Sequence, residues 1–274
     1  MFQDRAMKLL TVVVHGALGK MGREVADTLC RDPQLEVVGA VDLRATEKQL
    51  VLPNASKSVL LSPDLKLVLN SCRPQVLVDF TVAEAAMSAA RIAIGQKINV
   101  VIGTSGLSSG NLMEIEELAK ANKVGAMVVP NFAIGAVLLL HLAKAAAKFF
   151  DNAEIIELHH QDKVDAPSGT ALATAQAMIK ARGKAFDYPL TGEEKLSGSR
   201  GGQIDGVAIH SVRLPGIVAS QEVIFGGQGQ TLSLRHDVIS RECYIPGVIL
   251  SVKEVIKRQG LVYGLDAVLN LGEL

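Results

Sequence analysis

From residue 9 to about residue 150 the chain alternates short, almost wholly apolar runs with longer stretches of helical periodicity. LLTVVV, EVVGAV, QVLVDF, NVVIGT and VGAMVV are rich in β-branched residues and show little polar alternation. That pattern suits strands buried on both faces rather than strands with one wet face. Between them KMGREVADTLCR, AEAAMSAARIAIG and SSGNLMEIEELAKA read as helices covering such a sheet. Ser108 or Ser109 is placed to cap the third. Alternation of this kind predicts right-handed βαβ units and a doubly wound, parallel α/β sheet.

After residue 150 the texture changes. AEIIELHH predicts a strand and SGTALATAQAMIKARG a helix ending at Gly183, while residues 184–206, rich in Gly, Ser and charge, predict a long mobile loop. Three closely spaced strands follow, VAIHSVRL, IVASQEVIFGG and QTLSLRHDV, with turns expected at Pro215-Gly216 and Gly226-Gly227. A second α+β domain on a mainly antiparallel or mixed sheet is therefore expected. The final PGVILSVKEVIKRQG reads as a helix with no strand after it, packing back on the first domain. The boundaries expected are residues 1–130 plus 241–274 for one domain and 131–240 for the other.

Composition narrows the function. Lys plus Arg and Asp plus Glu both number 28, and a chain with no net positive field lacks the usual basis for broad nucleic-acid binding. Cys30, Cys72 and Cys243 are far apart, with no Cys-x-x-Cys. This suits reduced thiols in a cytoplasmic protein and argues against a disulfide framework or zinc finger. Lys8 followed by LLTVVV imitates a secretion signal, but the run is short and glycines follow at once. IGAVLLLHLAKAAAKFF is interrupted by His141, Lys144 and Lys148, so it reads as a buried amphipathic helix and not a membrane span.

VVVHGALGKMGREV supplies the first candidate chemistry. Gly16, Gly19 and Gly22 follow the first strand and open a helix. There, glycines permit a tight turn and close approach of a pyrophosphate to the free N–H groups of the helix start. A tight packing turn would explain the glycines alone. The strand–turn–helix context favours a Rossmann-type dinucleotide site. Asp42, about 20 residues beyond the glycines, could accept from ribose hydroxyls and favour NAD; Arg44 could pair with a 2′-phosphate and favour NADP. Both readings stay open. Asp79-Phe80-Thr81, Gly103-Thr104-Ser105-Gly106 and Asn131-Phe132 end later strands, where ligands of open α/β sheets lie.

The second candidate is ELHHQDKVDAPSGTAL, residues 157–172. In a strand, Ile155, Glu157 and His159 share one face, and His160 points the other way. Adjacent histidines that diverge do not make a metal site, and no HExxH is present. A histidine at a strand end can act as a proton donor, and Lys163 adds a cation for a carboxylate or a second acidic proton. Asp165 or Ser168 is a credible cap for the following helix, and Ser168, Gly169 and Thr170 at its N-terminus also suit a carboxylate.

These segments, with IGTSG, PNFAIG and HDVISR, give the chain a specific resemblance to the 4-hydroxy-tetrahydrodipicolinate reductase (dihydrodipicolinate reductase) family, along its whole length and in order. The resemblance implies NADPH or NADH as cofactor and reduction of a small cyclic dicarboxylate to tetrahydrodipicolinate in the diaminopimelate route to lysine. It implies His159 and Lys163 as the catalytic pair, and a substrate site of His160, Gly169 and Thr170 with Lys163 assisting. It places the cofactor on Gly16, Ala17, Leu18, Gly19, Lys20 and Met21, on Gly103 to Ser105, and on Val129, Pro130, Asn131 and Phe132. It also implies a homotetramer built through the second domain, and a cleft between domains that closes over the substrate ring. His15 stands where the family pattern is small, and Ser105 replaces a frequent Thr. Two rivals are an aspartate-semialdehyde or homoserine dehydrogenase relative, which would need a nucleophilic cysteine or a differently placed lysine, and a non-catalytic dinucleotide sensor, which would have no use for the His159–Lys163–Thr170 cluster.

Overall fold

The computed structural model describes residues 9–53, 58–269 and 271; Lys8, which precedes the first apolar run, lies outside them. The chain forms two compact units, Met1–Ala133 with Tyr244–Asn270, and Ile134–Cys243 with Leu271–Leu274.

The first unit begins β1 (Leu10–His15), α1 (Lys20–Leu29), β2 (Leu35–Val41), β3 (Gln49–Val51), β4 (Ser58–Ser62), α2 (Leu65–Cys72) and β5 (Val76–Asp79). It continues α3 (Ala83–Gly95), β6 (Asn99–Ile102), α4 (Ser109–Asn122) and β7 (Gly125–Val128). The five apolar runs are the strands they were expected to be, and they join one sheet of order β13-β7-β6-β5-β1-β2-β4-β3, whose β13 is given below. Every pairing is parallel except β3 with β4. Val13, Leu77, Val100 and Ile102 join residues of α2, α3 and α4 in one buried cluster. The alternate residues Val12, Val14, Val78 and Val101 are buried just as fully. Both faces of the sheet are therefore covered, which is why these strands lack polar alternation. Ser108, not Ser109, caps α4, in a reciprocal box with Asn111. The segment 49–72, given no element by the sequence pattern, supplies β3, β4 and α2.

The end of the chain corrects an expectation. The last long helix, α7 (Ile245–Val255), is followed by β13 (Gly260–Tyr263) and a short α8 (Asp266–Leu269). β13 pairs in parallel with β7 and closes that edge of the sheet. Its four residues are too few to register as a periodic signal.

The second unit comprises α5 (Ile134–Ala146), β8 (Asn152–His159), α6 (Gly169–Arg182), β9 (Gly202–Ile204), β10 (Val207–Arg213), β11 (Ala219–Gly227) and β12 (Gln230–Val238). Its sheet runs β12-β11-β8-β10-β9, antiparallel throughout except for the parallel pair β8–β10. Leu139, Ala143, Ala153, Ile155, Ala171, Ala175, Met178, Val223 and Phe225 form its core, so α5 and α6 lie on one face of the sheet. Three expectations change here. The helix α5 is only half-buried, with Leu138 and Leu142 exposed. Residues 202–204 of the expected loop form β9, and Arg200 Nη2 ties the preceding stretch to Glu154 Oε1 at 2.7 Å. The β11–β12 turn falls at Gln228 and Gly229, while Gly226 and Gly227 stay in the strand.

Candidate functional site

The first unit reverses its strand order between β1 and β5: β2 and β4 lie to one side, β6 and β7 to the other. At such a switch point the loops beyond the strand ends splay apart and leave a crevice. The turn after β1 enters it. Gly16 has φ +80°, and its N–H and that of Ala17 donate to Val41 O at 2.8 and 3.1 Å. The Leu18 N–H donates to Asp42 Oδ2 at 2.9 Å, and Gly19 caps α1 with no side-chain bond. The first N–H groups of α1, from Lys20 and Met21 onward, therefore head a helix start with no side-chain cap. A Cβ on Gly22 would stand 2.0 Å from Gly16 O, and one on Gly16 would stand 2.7 Å from Phe80 O. The outer glycines of the triplet thus make the turn tight, and the loop has the narrow, capless backbone that a pyrophosphate fits.

Asp42 and Arg44 come together, as their proximity in sequence suggests, but chiefly to each other. Arg44 Nε and Nη2 donate to the two Asp42 oxygens at 3.1 and 3.2 Å, and the Arg44 N–H donates to Oδ1 at 2.9 Å. Burial opposes the charge on Asp42, yet the Arg44 guanidinium and the backbone N–H groups of Arg44 and Leu18 outweigh it and hold the carboxyl below its usual range. Asp42 is buried while the Arg44 side chain is 65% exposed. The acid shapes the glycine turn, and the guanidinium beside it is the accessible group.

The strand ends also carry a network that sequence spacing does not reveal. The buried Asp79 places Oδ2 2.6 Å from His15 Nδ1 and accepts from Thr104 Oγ1 at 2.7 Å and Thr81 Oγ1 at 2.9 Å. It joins the loops after β1, β5 and β6. Substituting Asp79 by Ala strands His15 and two hydroxyls, and should cost about 3 kcal/mol on the usual scale for unsatisfied buried groups, readable as a lowered urea midpoint with unchanged slope. Phe80 and Phe132 meet with ring centroids 5.5 Å apart, over Gly103, where a Cβ would come within 2.4 Å of Phe80. Val129 is fully buried, whereas Pro130 and Ser105 are exposed and Asn131 Oδ1 accepts from the Ala133 N–H.

In the second unit β8 delivers its stripe as expected: Ala153, Ile155 and Glu157 are buried, and His159 ends the strand with its side chain 17% exposed. His160 lies beyond the strand and is exposed. Lys163 Nζ donates to Asp165 Oδ1 at 2.6 Å, and the peptide Ala166–Pro167 is cis. Of the two caps considered, Ser168 serves: its Oγ accepts from the Ala171 N–H at 3.2 Å. Gly169 and Thr170 are exposed at the start of α6, with their N–H groups in the first turn. His159, Lys163 and this helix start thus belong to one short stretch of chain.

Sequence reasoning missed two members of this region. Glu157, recognised only for its face, is fully buried, and Arg213 on β10 grips both its oxygens, Nη1 to Oε2 at 3.0 Å and Nη2 to Oε1 at 2.8 Å. The available signal was a charged residue at a core position of an otherwise apolar strand face. Its partner lies 56 residues away.

The sheet order, the glycine turn and the loops at the switch point define the first unit as a Rossmann-type dinucleotide-binding fold. Comparison with known proteins makes this specific. The family models for dihydrodipicolinate reductase match along the chain, the N-terminal model over residues 10–132 and the C-terminal model over 135–269. A 4-hydroxy-tetrahydrodipicolinate reductase of Dehalococcoides mccartyi is 55% identical over 265 residues, covering 97% of this chain and all of the relative. One from Moorella thermoacetica is 50% identical, covering 95% and 98%. The dipicolinate-bound dihydrodipicolinate reductase from Paenisporosarcina sp. TG-14 superposes with a TM-score of 0.85 at 38% identity, covering 94% of this chain and 98% of the other. The chain belongs to the dihydrodipicolinate reductase family, whose members are oxidoreductases using NADH or NADPH.

Proposed function

We propose that this protein reduces 4-hydroxy-tetrahydrodipicolinate to tetrahydrodipicolinate with NAD(P)H, in the diaminopimelate route to lysine. The observation that carries the reading is the placement of His159, Lys163 and the exposed start of α6 within one stretch of the second unit, in a chain whose full-length relatives bear that activity as their name. The dipicolinate in the Paenisporosarcina structure is a six-membered nitrogen ring with a carboxylate on each side of the nitrogen, the same arrangement of charges as in the proposed substrate.

When bound, NAD(P)H supplies a hydride from its nicotinamide ring. The residues proposed to hold it are Gly16 to Met21 and the start of α1 for the pyrophosphate, Asp42 and Arg44 near the adenosine ribose, and Phe80, Gly103 to Ser105 and Val129 to Phe132 toward the nicotinamide. Gly169 and Thr170 offer N–H groups to one substrate carboxylate, Ser168 fixes that helix start, and His160 and Lys163 bring polar and cationic groups to the carboxylates. A proton from Lys163 or His159 completes the reduction, the 4-hydroxyl having left as water. The first unit is thereby a dinucleotide-binding domain and the second a substrate-binding and oligomerisation domain. The proposed assembly is a cytoplasmic homotetramer. The outer edge of β12, nine residues long and unpaired among the described residues, supports this. No helix among those residues is long and apolar enough to cross a membrane.

A coupled assay with the synthase that generates the substrate, followed at 340 nm, tests the reading. Absorbance should fall only with synthase, its substrates, this protein and NAD(P)H all present; no oxidation of either cofactor would sink it. Because the accessible cation at the ribose position is Arg44, Arg44→Ala should raise KM for NADPH about tenfold, the worth of one charge-assisted bond, and raise KM for NADH far less.

A further inference from the structure

A fully buried carboxylate precedes the proposed proton donor by two residues, and core packing does not call for it. Glu157 sits in the stripe of Ala153 and Ile155, where an apolar side chain would complete the core. Its Oε2 lies 2.5 Å from His159 Nδ1, and its Oε1 accepts from the Ser168 N–H at 3.2 Å. Arg213, opposite His159 in the parallel β8–β10 register, binds both oxygens and also donates from Nη2 to Asp165 O at 2.6 Å. One carboxylate thus meets the imidazole, the residue capping α6, and a guanidinium that holds the loop of Lys163.

A carboxylate out of water stays ionised only when paired and hydrogen-bonded, and the two-point contact with Arg213 is the geometry that does this. Burial works against the charge, but hydrogen bonds from Arg213, Ser211 and His159 outweigh it and hold Glu157 below the usual glutamate range. An ionised carboxylate can only accept, so the short bond to His159 requires a proton on Nδ1.

We propose that Glu157 is a positioning residue for the reduction: it holds a proton on Nδ1 of His159, leaving Nε2 as the nitrogen that surrenders one, while Arg213 keeps Glu157 ionised. The inference rests on the reading of His159 as a proton donor. In that step the substrate double bond gains a hydride from the reduced cofactor and a proton from Nε2, and His159 is left neutral with Nδ1–H still on Glu157.

The charged groups facing His159 are Glu157 on its own strand, Lys163 in the following loop and Arg213 on β10; β11 brings only Ala219 opposite it and Gln221 opposite Glu157. Burial lowers the His159 pKa, Glu157 raises it, and Lys163 and Arg213 lower it again, leaving it below the ordinary histidine value. Removing the Glu157 charge lowers it further, so the acid form disappears at lower pH.

Histidine-¹⁵N NMR and the pH dependence of kcat, both on the full chain, decide the matter. In wild type above its titration, His159 should show a protonated Nδ1 and a bare Nε2. In Glu157→Gln its titration should move down by roughly one pH unit or more, with the high-pH limb of kcat moving equally. At neutral pH kcat should fall about tenfold or more, with the substrate KM within about twofold. A wild-type ring protonated on Nε2 overturns the proposal without any variant, as does an unmoved titration and limb in Glu157→Gln. If His159→Ala keeps full turnover, the role given to that histidine falls, while the tautomer still reports what Glu157 does to the ring.

Discussion

Replacing Lys163 by Ala should lower kcat about 10²-fold or more, the usual scale for losing a positioned acid or its charge, and His159→Ala should do likewise. The structure makes this a clean experiment for Lys163. Its ammonium binds Asp165, whose side chain is half-exposed, so truncation leaves no buried charge without a partner and the thermal midpoint should barely move. His159 is bonded to the fully buried Glu157, so its removal leaves a buried carboxylate short of a partner and should also lower stability. Steady-state kinetics in the coupled assay, beside thermal melts, separates the two effects. Turnover near normal in both variants would remove the proposed chemistry from this stretch altogether.

Gly22→Ala should weaken NAD(P)H binding about 10²-fold, readable by titrating the fluorescence of the reduced cofactor. A Cβ there would meet Gly16 O at 2.0 Å and Gly16 C at 2.7 Å. Both are backbone atoms of a residue held by a bond to Val41 O. The turn must open, and the helix start that should receive the pyrophosphate moves with it. Gly19→Ala is the internal control: its Cβ would come only within 3.1 Å of Gly16 O, so a milder loss is expected. An unchanged dissociation constant in Gly22→Ala would mean that the first turn is not the anchor.

Much of this architecture is legible in the sequence, and what is not follows a physical pattern. The runs LLTVVV, QVLVDF and NVVIGT declared themselves because strands buried on both faces cannot carry polar alternation, and AEAAMSAARIAIG matches α3 residue for residue. Short edge elements did not: β3, β4 and β13 have three to five residues each, too few for a period to emerge. Gly226 and Gly227 imitated a turn. A Cβ on Gly227 would come within 3.3 Å of the Phe150 ring, so that glycine makes room for an aromatic inside a strand rather than bending the chain. The candidate site was readable wherever its members are consecutive, as from His159 to Thr170. It was hidden wherever two strands had to meet, as with His15 and Asp79 or Glu157 and Arg213, because pairing across a sheet leaves no local trace.

The way the first sheet ends also bears on how the protein is made. β13 is the last strand of that sheet, and α7 packs against β6 and β7 so closely that a Cβ on Gly125 would meet Val255 O at 2.0 Å. Everything from Ile134 to Cys243 leaves the ribosome before those two pieces do. At about 5–20 residues per second, the nascent first unit waits on the order of 10 s with the β7 edge bare. By the end of that interval the inserted unit has all its strands, before β13 has been made, and can fold first. Such an exposed strand margin is where holding chaperones and stray pairing compete, so a chain cut short after Cys243 should emerge aggregated rather than merely inactive.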